Sequence, residues 1–214
     1  MKGRTPRAHE GANMFCKMLL ASILLVVSQI ALPEVVAPAR EPVEKLNAAL
    51  IDVMKNAGRL GYQGRYKKLE PVIKDVFQFE TVAQIALGAH WKKLDQKKQE
   101  EFIAKLTELS VATYASQFDA YKGQAFRYDS TEEVKPDRVI VRYTMTVPND
   151  KPISFDYIVN QYGGRWRIIN IIADGISDLA LKKAQYTSII DREGFDSLLA
   201  KLTQKIADYA KKAK

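Results

Sequence analysis

The chain has 214 residues, of which 33 are lysine or arginine and 25 are aspartate or glutamate, giving a formal net charge of +8. Its single cysteine excludes an intramolecular disulfide, and its two histidines exclude a histidine-rich metal site. The basic balance suits nucleic acid, anionic lipid head groups or acidic partner proteins, so charge alone does not select a function.

The first forty residues have the pattern of a secretory signal peptide. An uncharged apolar run covers residues 18–32, and Ala37-Pro38-Ala39 follows it as a cleavage site. The run is shorter than the ~20 residues that a membrane-spanning helix needs. We therefore expect cleavage after Ala39, from a start at Met1 or Met14, and an exported chain with no nucleic-acid partner. The basic residues before the run are Lys2, Arg4, Arg7 and Lys17.

Residues 40–214 are expected to form a single α+β domain, which begins with helices. After a linker that contains Pro38 and Pro42, apolar residues recur at steps of three and four from Val43 to Leu60, as in an amphipathic helix. The glycines at 58, 61 and 64 are predicted to end this helix, and Pro71 to begin the second one.

Two further helices are predicted before the chain changes period. A short one stops at Gly88, and a long one starts at Asp95. The apolar positions of the long helix include Tyr114, Phe118 and Tyr121, and they cover about half of its circumference. This apolar surface is wider than contact with a single core requires, so we expect the helix to contact two separate partners or surfaces.

Beyond Gly123 the apolar period changes from 3.6 to 2, which predicts strands. The Gly163-Gly164 pair indicates a hairpin, and the short connections imply a four-stranded antiparallel meander. The fourth strand is apolar on both faces, with Ile172 on the same face as Trp166 and Ile168, and Ile169 and Ile171 on the other. Helices return after Ser177 and after Gly194. One shared apolar face is predicted to hold Val139, Val141, Tyr143, Met145, Phe155, Tyr157, Val159, Trp166 and Ile168.

No catalytic, metal-binding or cofactor motif is recognisable in the sequence. His90 is interpreted as a helix-end or packing residue, and the Lys182-Lys183 pair as a solvated face. Asp156 and Asp174 are the acids set in apolar surroundings, where either could act as a general base if buried. Asp174 is better explained as a cap of the helix that follows it.

Several short motifs resemble the MlaC family, exported carriers of phospholipid between the two membranes of Gram-negative bacteria. Others are similar to its HpnM branch, which is associated with hopanoid biosynthesis. The chain departs from the family at Gln78 and Asn170, where members usually have aspartate. The family motifs are Phe79-Glu80, Ala86-Leu87-Gly88-x-His90-Trp91, Thr113-Tyr114-Ala115, Gly164-x-Trp166 and Asp174-Gly175-Ile176-Ser177. The branch motifs are Leu60-Gly61-Tyr62-x-Gly64-Arg65-Tyr66 and Phe118-x-x-Tyr121-x-Gly123.

The resemblance implies an NTF2-like fold, with helices packed on a curved four-stranded sheet and an apolar cavity between them. It also implies a periplasmic, monomeric carrier that takes phospholipid or a hopanoid-type lipid between an inner-membrane ABC transporter or other complex and an outer-membrane complex. Tyr114, Phe118 and the shared strand face would then contact lipid. Two alternatives stay open: an NTF2-like isomerase or hydratase using a buried aspartate with Tyr143 or Tyr157, and a domain with a filled core.

We predict that the mature chain begins near Arg40. Because Cys16 precedes the apolar run, it would leave with the leader, and the mature chain would carry neither a disulfide nor a lipid anchor. Intact-mass measurement of protein from its native host checks this. A product that still contains residues 14–32 would contradict it.

Overall fold

The computed structural model describes residues 36–212, which all belong to a compact unit spanning 32–214. Residues 1–35, which are most of the predicted leader and include both candidate starts, lie outside the described residues. The helices are α1 (Val36–Lys55), α2 (Ala57–Val76), α3 (Phe79–Leu87), α4 (Gln96–Gln117), α5 (Asp178–Glu193) and α6 (Phe195–Lys212), with a 3₁₀ helix at Gly88–Lys93. The strands are β1 (Ala125–Lys135), β2 (Arg138–Thr146), β3 (Ile153–Tyr162), β4 (Arg165–Ala173) and β5 (Ile176–Ser177).

Helix α1 includes the region that was expected to be a linker. It begins at Val36, and Pro38 and Pro42 both lie inside it. Pro42 removes one i→i−4 hydrogen bond. The helix nevertheless passes through this residue, because Ala39 and Val43 are fully buried in the core and packing stabilises the turn between them. The predicted linker is therefore wrong, and α1 crosses the expected cleavage position.

The predicted boundary between the first two helices is wrong in part, because only Gly61 of the three glycines interrupts the helical geometry, and it does so within α2. Asn56 separates the two helices, and α2 then continues to Val76 with Pro71 in its interior. Gly61 has φ 57° and ψ −175°, so it kinks α2 without ending it. This region of backbone space is accessible in practice only to glycine.

A buried arginine holds the kinked start of α2 against the end of α4. Arg65 is 4% exposed, and its Nε donates a hydrogen bond of 2.8 Å to the carbonyl oxygen of Ala115. Its Nη1 donates a longer bond, 3.4 Å, to the carbonyl oxygen of Ala57. Ala115 lies in the last turn of α4, where the helix dipole favours a positive charge.

The long helix begins as predicted. The Asp95 side chain accepts a hydrogen bond of 2.8 Å from the backbone N–H of Lys98, which caps the N-terminus of α4. The helix ends at Gln117, so Phe118 is its C-terminal cap and Tyr121 lies beyond it. Tyr121 is 42% exposed and does not extend the apolar stripe of α4.

In the described part of the chain the sheet has five antiparallel strands in sequence order, so the predicted meander is confirmed but the count of four is wrong. The short β5 pairs with Ile172 and Ala173 at the end of β4. Asp174 and Gly175 turn the chain back, with φ values of 46° and 79°. The sequence interpretation treats Ile176 and Ser177 as residues that lead into the next helix, whereas the structure places them in β5.

A β-bulge in β4 changes which residues face the helices. Val159 pairs with Ile168, whereas the preceding Ile158 pairs with Asn170, so Ile169 is an extra residue in β4. Beyond the bulge, Ile171 pairs with Tyr157 and joins the face of Trp166 and Ile168. Ile172 lies on the opposite face, which corrects the alternation predicted for this strand.

The helices cover one face of the sheet, here called the inner face. Helix α1 lies across strands β1 to β4, α2 packs on α1 and α4, and α6 packs on α4. Helix α5 contacts α3, α6 and β4. The chain between α2 and α3 docks on the bulge, where the N–H of Gln78 donates to the carbonyl oxygen of Ile168 at 3.0 Å. The inner face is defined by Phe126, Tyr128, Val139, Val141, Tyr143, Met145, Phe155, Tyr157, Val159, Trp166, Ile168 and Ile171.

The two glycines at the start of α2 allow a test of the kink. A Cβ atom added at either Gly58 or Gly61 meets no atom within 4 Å, but only Gly61 has a positive φ. Gly61→Ala is therefore expected to lower the free energy of unfolding by about 1–3 kcal/mol. Gly58→Ala, the matched control, should be neutral or should stabilise the helix by up to about 1 kcal/mol. Urea unfolding of both variants makes the comparison, and equal stabilities would contradict the kink.

Candidate functional site

The centre of the inner face is packed core. Val141, Val159 and Ile168 are 0% exposed, and Val139 and Tyr157 are nearly as buried. All of them belong to one apolar cluster with α1. The residues predicted to line a cavity are thus together on one face, as expected, but at its centre that face is filled by α1.

Two tyrosine hydroxyls join the inner face to α1. Tyr157 donates a hydrogen bond of 2.8 Å to Oδ1 of Asn47, and Tyr143 bonds to Oε1 of Glu44 at 3.3 Å. Burial raises the pKa of Tyr157 far above its ordinary value, although the bond to Asn47 acts in the opposite direction. Both hydroxyls are therefore neutral donors that fix the position of α1 on the sheet.

One end of the predicted site stays accessible. Tyr114, Phe118, Met145 and Phe155 are half-buried, unlike the residues at the centre of the face. The rings of Tyr114 and Phe118 stack with centroids 5.7 Å apart, and Phe155 lies 6.1 Å from Tyr157. Burial raises the pKa of Tyr114 well above its ordinary value. We name Tyr114, Phe118, Phe126, Met145 and Phe155 together the aromatic end, because they are apolar residues in and around the predicted site that are only half-buried.

A groove of about 620 Å³ lies between α1 and strands β1 and β2, and we name it the α1 groove. It adjoins the aromatic end through Phe126, whose ring centroid is 5.9 Å from that of Phe155. Arg40 stands over the ring of Tyr128 at 3.9 Å and also pairs with Glu44. The groove is lined by Arg40, Glu44, Asn47, Ala48, Ile51, Asp52, Lys55, Phe126, Tyr128 and Tyr143.

A second groove of about 610 Å³ lies between α2 and α4. It is lined by charged residues as well as aromatic ones, including Glu70, Lys74 and Arg167 beside Tyr66 and Phe77. Gln78 lines the same groove, and no side-chain hydrogen bond from it caps α3. The ring of Phe77 lies 6.2 Å from that of Tyr114, so aromatic contacts connect this groove to the aromatic end.

Asn170, the other departure from the family pattern, has a defined structural role. Its Oδ1 accepts a hydrogen bond of 3.1 Å from the N–H of Leu179, and its Nδ2 donates to Oγ of Ser177 at 3.0 Å. Ser177 in turn caps α5 by accepting from the N–H of Ala180. A carboxylate could replace the acceptor at this position but not the donor.

The acids considered as general bases lie away from the inner-face tyrosines. Asp156 points to the opposite face of the sheet from Tyr157, and it pairs with Arg142 at 3.6 Å. Asp174 accepts a hydrogen bond of 2.9 Å from the N–H of Ser154, so its expected role as a cap of the next helix is wrong. The geometry does not bring either acid together with a tyrosine hydroxyl of the inner face.

The remaining sequence candidates have surface partners. His90 lies in the 3₁₀ helix with Nε2 3.1 Å from Asp191, and Lys182 pairs with Asp178. Within residues 36–212 no three histidine, cysteine or acidic side chains are grouped so as to hold a metal ion. Over the same residues, none of the helices combines the length and the apolar character required to cross a membrane.

Asn47 is the site residue that the sequence interpretation missed. It is 5% exposed and lies on the buried stripe of α1 beside Leu46 and Leu50. A signal was present, because an amide within an apolar stripe at helical spacing requires a hydrogen-bond partner in the core. Its partner, Tyr157, is 110 residues away in the chain, so the pair could not be inferred from local patterns.

Tyr157→Phe is expected to lower the free energy of unfolding by about 1–3 kcal/mol, because the buried oxygen of Asn47 loses its donor. The raised pKa of Tyr157 means that stability present below pH 10 is lost as pH rises above that value. The variant should therefore lose less stability than the parent between pH 10 and pH 12. Urea unfolding at several pH values measures both effects. Tyr121→Phe, at an exposed position, is the control, and equal behaviour of the two variants would contradict the prediction.

Comparisons with known proteins identify the family of the chain and support its fold. The model of the MlaC protein family matches residues 44–204. The intermembrane phospholipid transport system binding protein MlaC of Haemophilus influenzae is 22% identical over 161 residues, which cover 72% of this chain and 74% of that protein. A phospholipid-binding protein of Ralstonia solanacearum, solved in complex with a phospholipid, is 23% identical with a TM-score of 0.71, covering 81% of this chain and 99% of that one. The last similarity supports the α+β fold, and because the family model spans well over half of its length, the chain belongs to the MlaC family.

Proposed function

We propose that this chain is a lipid carrier that binds phospholipid between α1 and the inner face of the sheet. The observation that supports this most directly is the similar fold of a protein solved with bound phospholipid, which aligns over 99% of its length. The apolar inner face and the aromatic end supply the chemistry that acyl chains need.

Because the centre of the inner face is filled, acyl chains enter by separating α1 from the sheet, starting at the aromatic end. The polar contacts to be moved include the hydrogen bonds of Tyr143 and Tyr157. Each contributes about 0.5–1.5 kcal/mol net. Each buried methylene contributes about 0.8 kcal/mol, so roughly four methylenes offset the loss of both bonds. A pair of acyl chains has many more than four.

The finer assignments belong to the same proposal. The leader directs export and is cleaved, so that the carrier works in the periplasm, where it is a monomer. There it moves lipid between an inner-membrane ABC transporter or other complex and an outer-membrane complex. The cargo is a phospholipid, with a hopanoid-type lipid as the alternative if the chain belongs to the HpnM branch. The basic surface assists docking to acidic partners or anionic membranes.

Transfer between vesicles tests the function. Purified protein is incubated with donor vesicles of phosphatidylethanolamine and phosphatidylglycerol, separated, and mixed with acceptor vesicles. A carrier delivers lipid of unchanged mass, as mass spectrometry of the acceptor vesicles would show. Lipid of altered mass would favour the enzyme alternative, and a protein that takes up neither these lipids nor a hopanoid would contradict the carrier.

A bulky residue at the aromatic end should displace lipid. Met145 is half-buried on β2, between Phe126 and Ile153 in the pairing. Met145→Trp is expected to lower the lipid bound per protein severalfold, while the melting temperature of delipidated protein shifts by only a few degrees. Val134→Trp, at a position on β1 that is 52% exposed, is the control. Unchanged lipid content in Met145→Trp, measured by mass spectrometry, would move the binding surface away from this end.

A further inference from the structure

Asn47 has a hydrogen-bond donor with no partner. Its Oδ1 accepts from Tyr157, but no acceptor among the described residues lies within hydrogen-bond distance of its Nδ2. The side chain is 5% exposed and the nitrogen is closed off from water. An unpaired buried donor of this kind costs stability, and nearly all such groups in folded proteins have a partner.

The position of Asn47 indicates what kind of partner would suit it. The residue lines the middle of the α1 groove, beside the apolar Ala48 and Ile51. The cations that line the same groove, Arg40 and Lys55, are seven and eight residues away along α1, or about 10–12 Å. Asn47 is therefore a neutral donor beside Ala48 and Ile51, and the charge of Arg40 reaches the neighbouring turn only as a pair with Glu44.

A phosphate group fits this central position poorly. Glu44 lies one turn away and pairs with Arg40, so a phosphate here would have to compete with the Glu44 carboxylate for that cation. A phosphate would also have to lose its hydration beside Ala48 and Ile51, while Arg40 is already paired with Glu44. An uncharged carbonyl oxygen meets neither obstacle.

We infer that Asn47 Nδ2 donates a hydrogen bond to an ester carbonyl of the bound lipid, so that the α1 groove holds the linkage between acyl chains and glycerol. This inference rests on the proposed function and adds to it the chemical group that is recognised. Separation of α1 from the sheet breaks the bond between Tyr157 and Asn47, and it thereby exposes the amide nitrogen of Asn47 to the ligand. Acyl chains then lie against the inner face, and the linkage lies at Asn47.

The test compares ester and ether lipids in one sample. Protein is equilibrated with vesicles that contain equal amounts of dipalmitoyl phosphatidylglycerol and its dihexadecyl ether analogue, which lacks both carbonyl groups. Mass spectrometry then gives the ratio of the two bound lipids. One neutral hydrogen bond predicts a preference of about three- to tenfold for the ester lipid.

In Asn47→Leu the ratio should fall to about one, because leucine has a similar size and no donor. Gln84→Leu, which removes an exposed amide on α3, is the control and should keep the wild-type ratio. If Asn47→Leu does not fold, the ¹⁵N resonance of the Asn47 side chain in the wild type serves instead. It should shift with the ester lipid and not with the ether lipid.

The outcomes separate the inference from the function on which it rests. A wild-type ratio of one, or an Asn47→Leu ratio equal to that of the wild type, would overturn the carbonyl contact and leave the carrier intact. Failure to bind either lipid would overturn the proposed carriage of phospholipid as well. A preference for the ester lipid that is lost in Asn47→Leu supports both.

Discussion

The contact between α1 and the inner face of the sheet determines the rest of this structure. Helix α1 lies across four strands, and its buried side chains fill the space under them. Apolar contact supplies most of the stability of this interface, but it does not fix where along the sheet the helix lies. The hydroxyls of Tyr143 and Tyr157 do that, because each must meet a specific acceptor on α1.

An interface of this kind can close tightly and still open. Burial without directional bonds would favour permanent packing, whereas a core with many polar contacts would be costly to separate. Here two tyrosine bonds lie within a largely apolar surface, and acyl chains can offer the sheet apolar contacts of the same kind as those of α1. In the proposed lipid-bound arrangement the Asn47 oxygen gives up Tyr157, and the Asn47 nitrogen, which has no partner in the closed structure, gains one.

The helices behind α1 keep the other wall of the site in place. Arg65 is buried with backbone carbonyls as its partners, one at the end of α4 and one at the start of α2. The guanidinium therefore fixes the kink of α2 relative to the helix that carries Tyr114. Helix α1 packs on α2, and α2 packs on α4. A displacement of α1 therefore pushes against two helices that Arg65 holds together.

Much of this arrangement could be predicted from the sequence, and the failures have physical causes. The period of two placed the strands and gathered the inner-face residues, and Asp95 marked the start of α4, because both signals are local. The proline linker was wrong because packing of Ala39 and Val43 outweighed the local preference of proline. The glycine boundary was misplaced because glycine permits a break in a helix without requiring one, and only Gly61 makes one. The filling of the face, and the role of Asn47, depend on contacts over about a hundred residues of sequence, which no local pattern contains.

The bulge in β4 determines which face of the sheet each later residue of the strand occupies. The extra residue at Ile169 reverses the orientation of every position after it, so that Asn170 reaches the start of α5 while Ile171 reaches Tyr157. If the same residues paired without the bulge, Ile169 would lie opposite Ile158, and Asn170 would take the place of Ile171 opposite Tyr157. Deletion of Ile169 would remove the bulge and leave both residues with their present partners, so the strand tolerates a shorter sequence here but not a flat pairing of the present one.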